Sequence, residues 1–201
     1  MNFLAHLLLS GESEGIIMGN FVGDFIKGRL TEEKTVGLAP DFVTGLKLHR
    51  HIDYFTDTHP VVKEAKGKVA IKHGKLSGII IDIYFDYFLA KNFADFCTET
   101  LWEYAHGIYS VIEKNDALIP PSMVPMAQAM IRQDWLNSYP TLEGIELTFH
   151  RMSRRVGFME PIKDAMPELR DHESYYKAQF DDFFPELVKE SARFIQSSTN
   201  G

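Results

Sequence analysis

The stretch GLKLHRHIDYFTDTHP, residues 45–60, combines the spacing of a core helix with the side chains of a metal site. Residues three and four apart share one face of a helix, so a single stripe runs from apolar residues into histidine and aspartate. The stripe consists of Phe42, Leu46, His49, Asp53 and Asp57. A buried Asp or His is costly unless it is paired, hydrogen-bonded or bound to a metal. The polar end of the stripe therefore predicts a partner elsewhere in the chain.

Three further segments carry a polar pair at positions i and i+4 inside an apolar surround. The clearest is GIIIDIYFDYFLA, residues 78–90, which is apolar on every face and is therefore typical of a buried helix. Two carboxylates on such a helix repel each other unless a cation lies beside them. The four pairs are Asn2/His6, Asn20/Asp24, His49/Asp53 and Asp82/Asp86. We expect these pairs to converge on one metal centre between the helices.

Imidazole together with several carboxylates suits a borderline or hard metal ion. The excess of oxygen ligands favours Mn²⁺, with Mg²⁺ or Fe²⁺ as alternatives. Each residue alone also has a structural interpretation, because a core histidine is usually hydrogen-bonded and a core aspartate usually caps a helix or pairs with arginine. The coincidence of four pairs favours the metal. His51, His59 and His73 are assigned to the surface or to turns.

Composition bounds the class of protein. The chain has 201 residues, of which 45% are hydrophobic and 24% charged, which predicts a single globular domain over residues 1–201. With Cys97 as its one cysteine, an internal disulfide is excluded and a cytoplasmic location is expected. The net charge of -7 argues against nucleic-acid binding. No signal peptide and no membrane span are expected, because His6 interrupts the apolar N-terminus and no apolar run reaches about 18 residues.

Helical periodicity dominates, so the predicted fold class is all-α, a bundle of helices. Ser122 is predicted to cap one helix, and Pro185 to kink or break the last one. The predicted helices cover 2–9, 15–27, 41–57, 60–72, 76–92, 93–113, 123–136, 142–155, 161–169 and 171–197, with a linker at 31–39.

Other catalytic motifs fit less well. The segment EYAH, residues 103–106, is an isolated Glu-x-x-His, whereas a di-iron bundle needs two such motifs. Phosphate-binding loops, dinucleotide-binding turns and a Gly-x-Ser-x-Gly elbow do not occur in the sequence. These observations disfavour nucleotide-binding folds and α/β-hydrolases.

The polar pairs and their flanks resemble the acyl carrier protein phosphodiesterase family. The resemblance rests on MNFLAH at 1–6, GN at 19–20 with DF at 24–25, LHRHID at 48–53 with TD and HP up to 60, and residues 82–90, and it continues weakly through Trp135, Leu136, Tyr139 and MSRR at 152–155. It implies an all-helical fold related to the HD-type metal phosphohydrolases, HD-domain-like but without their adjacent His-Asp pair. It also implies release of 4'-phosphopantetheine from holo acyl carrier protein with a divalent metal, typically manganese.

Two positions depart from the family pattern. Members often have His directly after the second Asp of the apolar helix, where this chain has Tyr87, and they often read His-Arg-Arg-Ile-Asp, where this chain has His51. Neither change removes a proposed ligand. They support a second hypothesis, an HD-like phosphohydrolase that acts on a nucleotide or another small phosphoester. A third is a non-enzymatic helical binding module whose polar pairs make structural hydrogen bonds.

On the phosphodiesterase interpretation, the metal activates a water for attack on phosphorus. The predicted catalytic residues are Asp24, Arg50 and Asp53. Arg50 and either Arg154 or Arg155 would hold the phosphoryl oxygens, although the last two could instead satisfy helix carbonyls. Asn20 would orient ligands or hold a phosphate oxygen. The predicted metal ligands are His6, Asp24, His49, Asp53, Asp82 and Asp86.

A lysine-rich segment, residues 63–75, stands out in a chain of negative charge. It would attract an acidic carrier protein, and Lys63 and Lys66 are its predicted contacts. The alternative is a solvated lysine face that aids solubility.

Overall fold

The computed structural model describes residues 1–154 and 157–199, and over these ranges it contains helices and turns but no strand. The predicted all-α class is confirmed. The α-helices are α1 (Phe3–Leu8), α2 (Glu14–Phe21), α3 (Glu32–Thr35), α4 (Pro40–Thr58), α5 (Pro60–His73), α6 (Ser77–Lys91), α7 (Leu101–Lys114), α8 (Val124–Arg132), α9 (Trp135–Ser138), α10 (Leu142–Ser153), α11 (Met166–Asp171) and α12 (Glu173–Thr199). Within the described ranges, no helix is both long enough and apolar enough to cross a membrane.

Helices α2 and α4 cross with their backbones in contact. A Cβ added at Gly19 would lie 2.1 Å from the carbonyl oxygen of Phe42, and one at Gly45 would lie 2.2 Å from that of Ile16. Neither position can carry a side chain without moving one helix, so the crossing depends on both glycines. It brings the C-terminal half of α2 beside the middle of α4, where the polar residues of both helices lie.

Helix α6 is the buried centre of the fold, as its sequence predicts. The ring of Phe85 packs against α12, with its centroid 5.8 Å from that of Phe180 and 5.7 Å from that of Phe183. The hydroxyl of Tyr84 donates to the carbonyl oxygen of Ala165 at 2.6 Å, so this buried polar group is satisfied. Fully burying one such aromatic side chain stabilises the fold by about 1.5–3 kcal/mol, and α6 buries four of them, Tyr84, Phe85, Tyr87 and Phe88.

The region around α8 differs from the prediction. Met123, not Ser122, occupies the N-cap position, and no side chain caps the helix. Pro125 explains this start, because proline has no N–H to satisfy in the first turn and its φ suits a helix. The helix ends at Arg132, and Asp134 adopts a left-handed conformation (φ 47°) that separates α8 from α9. The predicted Ser122 cap and the continuous helix to residue 136 are therefore wrong.

Other boundaries also differ. The predicted helix 15–27 ends at Phe21 and is followed by a 3₁₀ turn at Gly23–Phe25. Helix α7 starts late because Thr100 and Glu103 form a capping box: the Thr100 hydroxyl accepts from the Glu103 amide at 3.2 Å, and the Glu103 carboxylate accepts from the Thr100 amide at 2.9 Å. Helix α12 runs through Pro185 without interruption. The predicted linker at 31–39 contains the one-turn helix α3.

Candidate metal centre

Asn20 fixes two histidine rings through hydrogen bonds to their Nδ1 atoms. Its side-chain Oδ1 accepts from Nδ1 of His6 at 2.8 Å, and its backbone carbonyl oxygen accepts from Nδ1 of His49 at 2.9 Å. The orientation of the Asn20 amide follows from its Nδ2, which donates to the His6 carbonyl oxygen at 2.8 Å and to the Ser10 hydroxyl at 2.9 Å. The rings are buried and stacked, with centroids 4.2 Å apart. Because each Nδ1 faces an acceptor, each Nδ1 carries a proton, so in the neutral form of either ring the lone pair is on Nε2.

The two Nε2 atoms face carboxylate oxygens. Nε2 of His6 lies 3.2 Å from Oδ1 of Asp53. Nε2 of His49 lies 3.3 Å from Oδ2 of Asp53 and 3.4 Å from Oδ1 of Asp24. Lone pairs that face each other in this way repel unless a proton or a cation lies between them. One ligand atom from each of His6, His49 and Asp53 falls within 4.8 Å of the other two, so three predicted ligands do converge.

The ionisation of these groups follows from burial and proximity. Burial and the neighbouring His49 hold the pKa of His6 below its ordinary value. Burial acts to raise the pKa of Asp53, but His6 and the Met1 amino group outweigh it, and the pKa falls far below its ordinary value. Contact with His49 lowers the pKa of Asp24 as well. Both carboxylates of the cluster are therefore charged at neutral pH.

A single 3₁₀ turn, Gly23–Phe25, presents Asp24 to this cluster. A Cβ added at Gly23 would lie 2.2 Å from Cγ of His49, so the imidazole occupies space that only glycine leaves open. The Asp24 side chain itself is 69% exposed and can reach a molecule outside the core. The turn thus adds an accessible carboxylate to a buried histidine pair.

Arg50 secures the chain beyond this turn. Its Nη2 donates to the carbonyl oxygen of Ile26 at 3.1 Å and to that of Gly28 at 2.6 Å. Arg50 was predicted to clamp phosphoryl oxygens and to take part in catalysis. The structure instead directs it to the backbone of the segment that follows Asp24, where it acts as a positioning residue.

The two aspartates of α6 have different surroundings. Asp86 is fully buried, and its oxygens accept from the backbone amides of Leu4 at 2.8 Å and Ala5 at 3.3 Å, at the start of α1. Burial raises its pKa to about 7. Asp82 lies 3.1 Å from the Met1 amino nitrogen, which is also 3.9 Å from Asp53. Asp82 therefore borders the cluster, whereas the structure does not bring Asp86 into it.

A cavity of about 590 Å³ opens beside the cluster. Four carboxylates line it, those of Asp24, Asp53, Asp57 and Asp82, together with one basic side chain, Lys27. The remaining wall is mostly apolar and includes Met1, Phe3, Phe25, Ile79, Ile83, Met152 and Met159. The cavity is large enough for a small-molecule arm and is strongly acidic at one end.

Several predicted substrate contacts lie elsewhere. Asn20 is fully buried and hydrogen-bonded to both histidine rings, so it orients the rings and does not reach the cavity. Arg154 is exposed at the end of α10, and Arg155 lies outside the described residues. Lys63 is exposed, whereas Lys66 pairs with Asp57 at the cavity wall.

The lysine-rich segment is less basic than its sequence suggests. Lys72 and Lys68 both approach Glu168, at 2.7 and 3.9 Å, and this carboxylate is only 3% exposed. The hydroxyl of Tyr176 also donates to Glu168, at 2.9 Å. These lysines therefore join α5 to α11 and α12 and have little charge to offer a partner.

Sequence reasoning missed two residues that shape the site. Gly23 makes room for the His49 ring. The feature of the sequence that could have pointed to it is its place directly before the predicted ligand Asp24. Arg151 lies beside the cavity on α10. Helical spacing could have pointed to it, because Arg151 shares a helix face with Gly144 and Thr148, which are both buried.

The fold and the cluster together define an all-helical protein with a candidate metal-dependent hydrolytic centre. The model of the family described as acyl carrier protein phosphodiesterase matches residues 1–187, and the chain belongs to this family. The match extends into α12 and so includes the C-terminal third, in which the sequence motifs are weak.

Curated relatives cover nearly the whole chain. An acyl carrier protein phosphodiesterase from Photorhabdus laumondii is 29% identical over 192 residues, which is 95% of each chain. One from Salmonella agona is 28% identical over 96% of this chain and 98% of its own length. One from Pectobacterium atrosepticum is 28% identical over 94% and 96%, respectively. No solved structure matches the chain.

Proposed function

We propose that this chain is a divalent-metal-dependent phosphodiesterase that releases 4'-phosphopantetheine from holo acyl carrier protein. The observation that carries the proposal is the convergence of two imidazole Nε2 atoms, of His6 and His49, with ionised carboxylates beside the cavity. Family membership supports the reaction and the substrate. We extend the proposal to an HD-like arrangement of the metal site, with His49 and Asp53 one helical turn apart in place of an adjacent His-Asp pair.

The spacing of the donor atoms supports a metal ion. Metal–ligand bonds of about 2.0–2.2 Å at angles of about 90–110° separate neighbouring ligand atoms by roughly 3.0–3.5 Å. The distances of 3.2, 3.3 and 3.4 Å in the cluster fall within this range. Two imidazoles with two carboxylates suit Mn²⁺, and also Mg²⁺ or Fe²⁺. His6, His49, Asp53 and Asp24 would hold the ion.

The charge of the cavity supports the same conclusion. A phosphodiester is an anion, and the four carboxylates of the wall outnumber the cations beside them, which are Lys27, the Met1 amino group and Lys66. A divalent ion held between the histidines and Asp53 would offset two of those charges where the phosphorus must come to lie. A cation held in the cluster would therefore favour binding of the proposed substrate.

The residues of the chain have distinct tasks in this reaction. A divalent metal, when bound, supplies an acidified water and neutralises charge on the phosphoryl oxygens. Asn20 keeps both Nδ1 atoms protonated, so that both Nε2 lone pairs stay directed at the centre. Asp24, ionised and exposed on its turn, is placed to accept a proton from the attacking water. The apolar part of the cavity would receive the pantetheine arm.

The two departures from the family pattern lie away from the cavity. The Tyr87 hydroxyl donates to Glu173 on α12 at 2.7 Å, and His51 contacts Glu190 on α12 at 3.0 Å. Neither side chain lines the cavity. They therefore give no structural reason to prefer a nucleotide or another small phosphoester over the carrier protein.

We further propose that the acidic carrier protein approaches the lip of the cavity at Lys27, with the exposed Arg29 and Lys63 as further contacts. Long-range attraction to these residues would raise the association rate and would weaken with added salt. A cytoplasmic location, where an acyl carrier protein would be available, belongs to the same proposal, and so does the absence of a nucleic-acid partner.

Release of phosphopantetheine is the decisive measurement. The purified protein is freed of metal with a chelator and incubated with holo acyl carrier protein, with and without Mn²⁺, Mg²⁺ or Fe²⁺, and the carrier protein is weighed by mass spectrometry. We expect conversion to the apo form only with metal. Asp53→Asn should abolish it, and Asp116→Asn, on the turn after α7, should not. Hydrolysis of nucleotides without phosphopantetheine release would favour the second hypothesis, and a protein that binds no metal would favour the helical binding module.

A further inference from the structure

A small chamber adjoins the main cavity on the side of α10. It has a volume of about 70 Å³ and shares four lining residues with the main cavity, so the two are neighbours. At roughly 15 Å³ for each water, it has room for several waters or for one group of phosphoryl size. Its lining consists of Asn2, Phe3, Asp24, Trp135, Tyr139, Thr148, Arg151 and Met152.

Arg151 is a cation without a counter-ion. Its guanidinium carbon lies 4.7 Å from the ring centroid of Trp135, so the indole supports the side chain. Its Nη1 is shut away from solvent and has no hydrogen-bond acceptor, and no carboxylate of a described residue lies within 4 Å of its nitrogens. Burial lowers its pKa, although an arginine stays charged at any physiological pH. Leaving a charged donor atom buried without an acceptor costs stability, so Nη1 calls for a partner such as water, an ion or a ligand.

The chamber contains a second buried donor without an acceptor. The hydroxyl of Tyr139 is fully buried and lies near the Asn2 side chain. Among the residues that the structure describes, none is placed to accept a hydrogen bond from it. Burial raises the pKa of this hydroxyl well above its ordinary value, so it stays a protonated donor. Asp24 also lines the chamber, so a group held there would be next to the candidate metal centre.

We propose that Arg151, supported by Trp135 and assisted by Tyr139, binds the non-bridging oxygens of the substrate phosphoryl group. This inference rests on the proposed function and names the anion-binding residue of the same site. It replaces Arg50 and Arg154 in the role that the sequence suggested, because Arg50 is engaged with backbone carbonyls and Arg154 is exposed at a helix end. Arginine suits the role because its planar fork can hold two oxygens at once.

Binding of inorganic phosphate tests the proposal without turnover. The chain has two tryptophans, so a Trp102→Phe background leaves Trp135 as the single indole and its fluorescence as the reporter. Phosphate is titrated with chelator present, against sodium chloride at equal ionic strength. We expect saturable quenching that Arg151→Gln weakens at least tenfold. Arg132→Gln, which removes an exposed arginine from the end of α8, should leave it unchanged. Absence of a specific phosphate response, or equal affinity in Arg151→Gln, overturns the proposal.

Kinetics separates this inference from the proposed function. In phosphopantetheine release, Arg151→Gln should raise KM for the holo carrier protein at least tenfold. The KM of Arg151→Lys should lie between those of the parent and Arg151→Gln, because lysine keeps the charge but lacks the planar guanidinium that holds two oxygens. Unchanged KM and kcat in a folded Arg151→Gln variant overturns the anion site alone. If phosphate binding depends on Arg151 but no phosphopantetheine is released, the proposed substrate is wrong and the anion site stands.

Discussion

The polar pairs of α4 and α6 look alike in sequence and serve different ends. On α4, His49 and Asp53 point into one cluster, 3.3 Å apart, and both also contact residues of other helices. On α6, Asp86 caps the backbone of α1, and Asp82 borders the cluster through the Met1 amino group. A buried carboxylate needs a partner, and backbone amides serve as well as a cation. The spacing of a polar pair shows that a partner is needed and not which kind.

Removing the shared carboxylate of the α4 pair should have the largest effect. Asp53→Asn keeps the shape of the side chain but loses the charge that faces both His6 and His49. Replacing a group behind a ligand typically costs 10–100-fold in metal affinity, so losing a proposed ligand should exceed about 100-fold. Calorimetric titration with Mn²⁺ measures the loss. Full metal affinity in this variant would remove Asp53 from the site.

The α6 pair should respond in stability. Asp86→Ala leaves the amides of Leu4 and Ala5 buried without acceptors, and we expect a loss of about 2–4 kcal/mol in the free energy of unfolding. Urea denaturation measures it. Metal affinity of the folded variant should change much less than in Asp53→Asn. A variant as stable as the parent would show that the capping contacts contribute nothing.

The pH dependence of the same residue has a definite sign. The pKa of Asp86 is about 7 in the folded chain and 3.8 ordinarily, so between these values the folded state keeps a proton that the unfolded chain releases. Its contribution to stability is therefore present below about pH 4 and is lost as the pH rises to 7, with a slope of at most about 1.4 kcal/mol per pH unit. Asp86→Asn lacks this slope. Unfolding curves of both proteins at several pH values measure the difference, and parallel curves would contradict the shift.

The glycine behind His49 offers the smallest and most selective change. Gly23→Ala places a Cβ 2.2 Å from Cγ of His49, so the ring must turn away from Asp24 and Asp53. We expect about a tenfold loss of Mn²⁺ affinity, at the lower end of the range for groups that orient a ligand. Gly67→Ala is the control, because nothing lies within 4 Å of its Cβ on α5. That change should raise stability by up to about 1 kcal/mol without affecting the metal. Equal metal affinity in both variants would mean that the ring tolerates the displacement.

The fold was largely predictable from periodicity, and errors arose where a local device replaced it. An apolar run predicts helix α6, whereas the start of α8 depends on Pro125 and its end on the left-handed conformation of Asp134. Both depend on backbone conformations that hydrophobic spacing does not encode.

The candidate site was predictable as a set of residue types and less so as a set of roles. His6, His49, Asp53 and Asp24 do converge. The role of Arg50 could not be read from sequence, because its acceptors are the carbonyl oxygens of a loop more than twenty residues away. The same holds for Lys72, which pairs with a carboxylate 96 positions along the chain.

The glycine crossing of α2 and α4 has a consequence for how an ion would be loaded. Asn20 sits immediately after one crossing glycine and His49 four residues after the other, so the rings are oriented by the helix packing itself. The proposed site is then complete once these two helices and α1, which carries His6, have docked, and an ion entering it has little chain to rearrange. Such a site differs from small zinc modules, which are unfolded until the metal arrives. Loss and recovery of the ion would leave the helical core intact, and the cation could be exchanged for another during the life of one folded molecule.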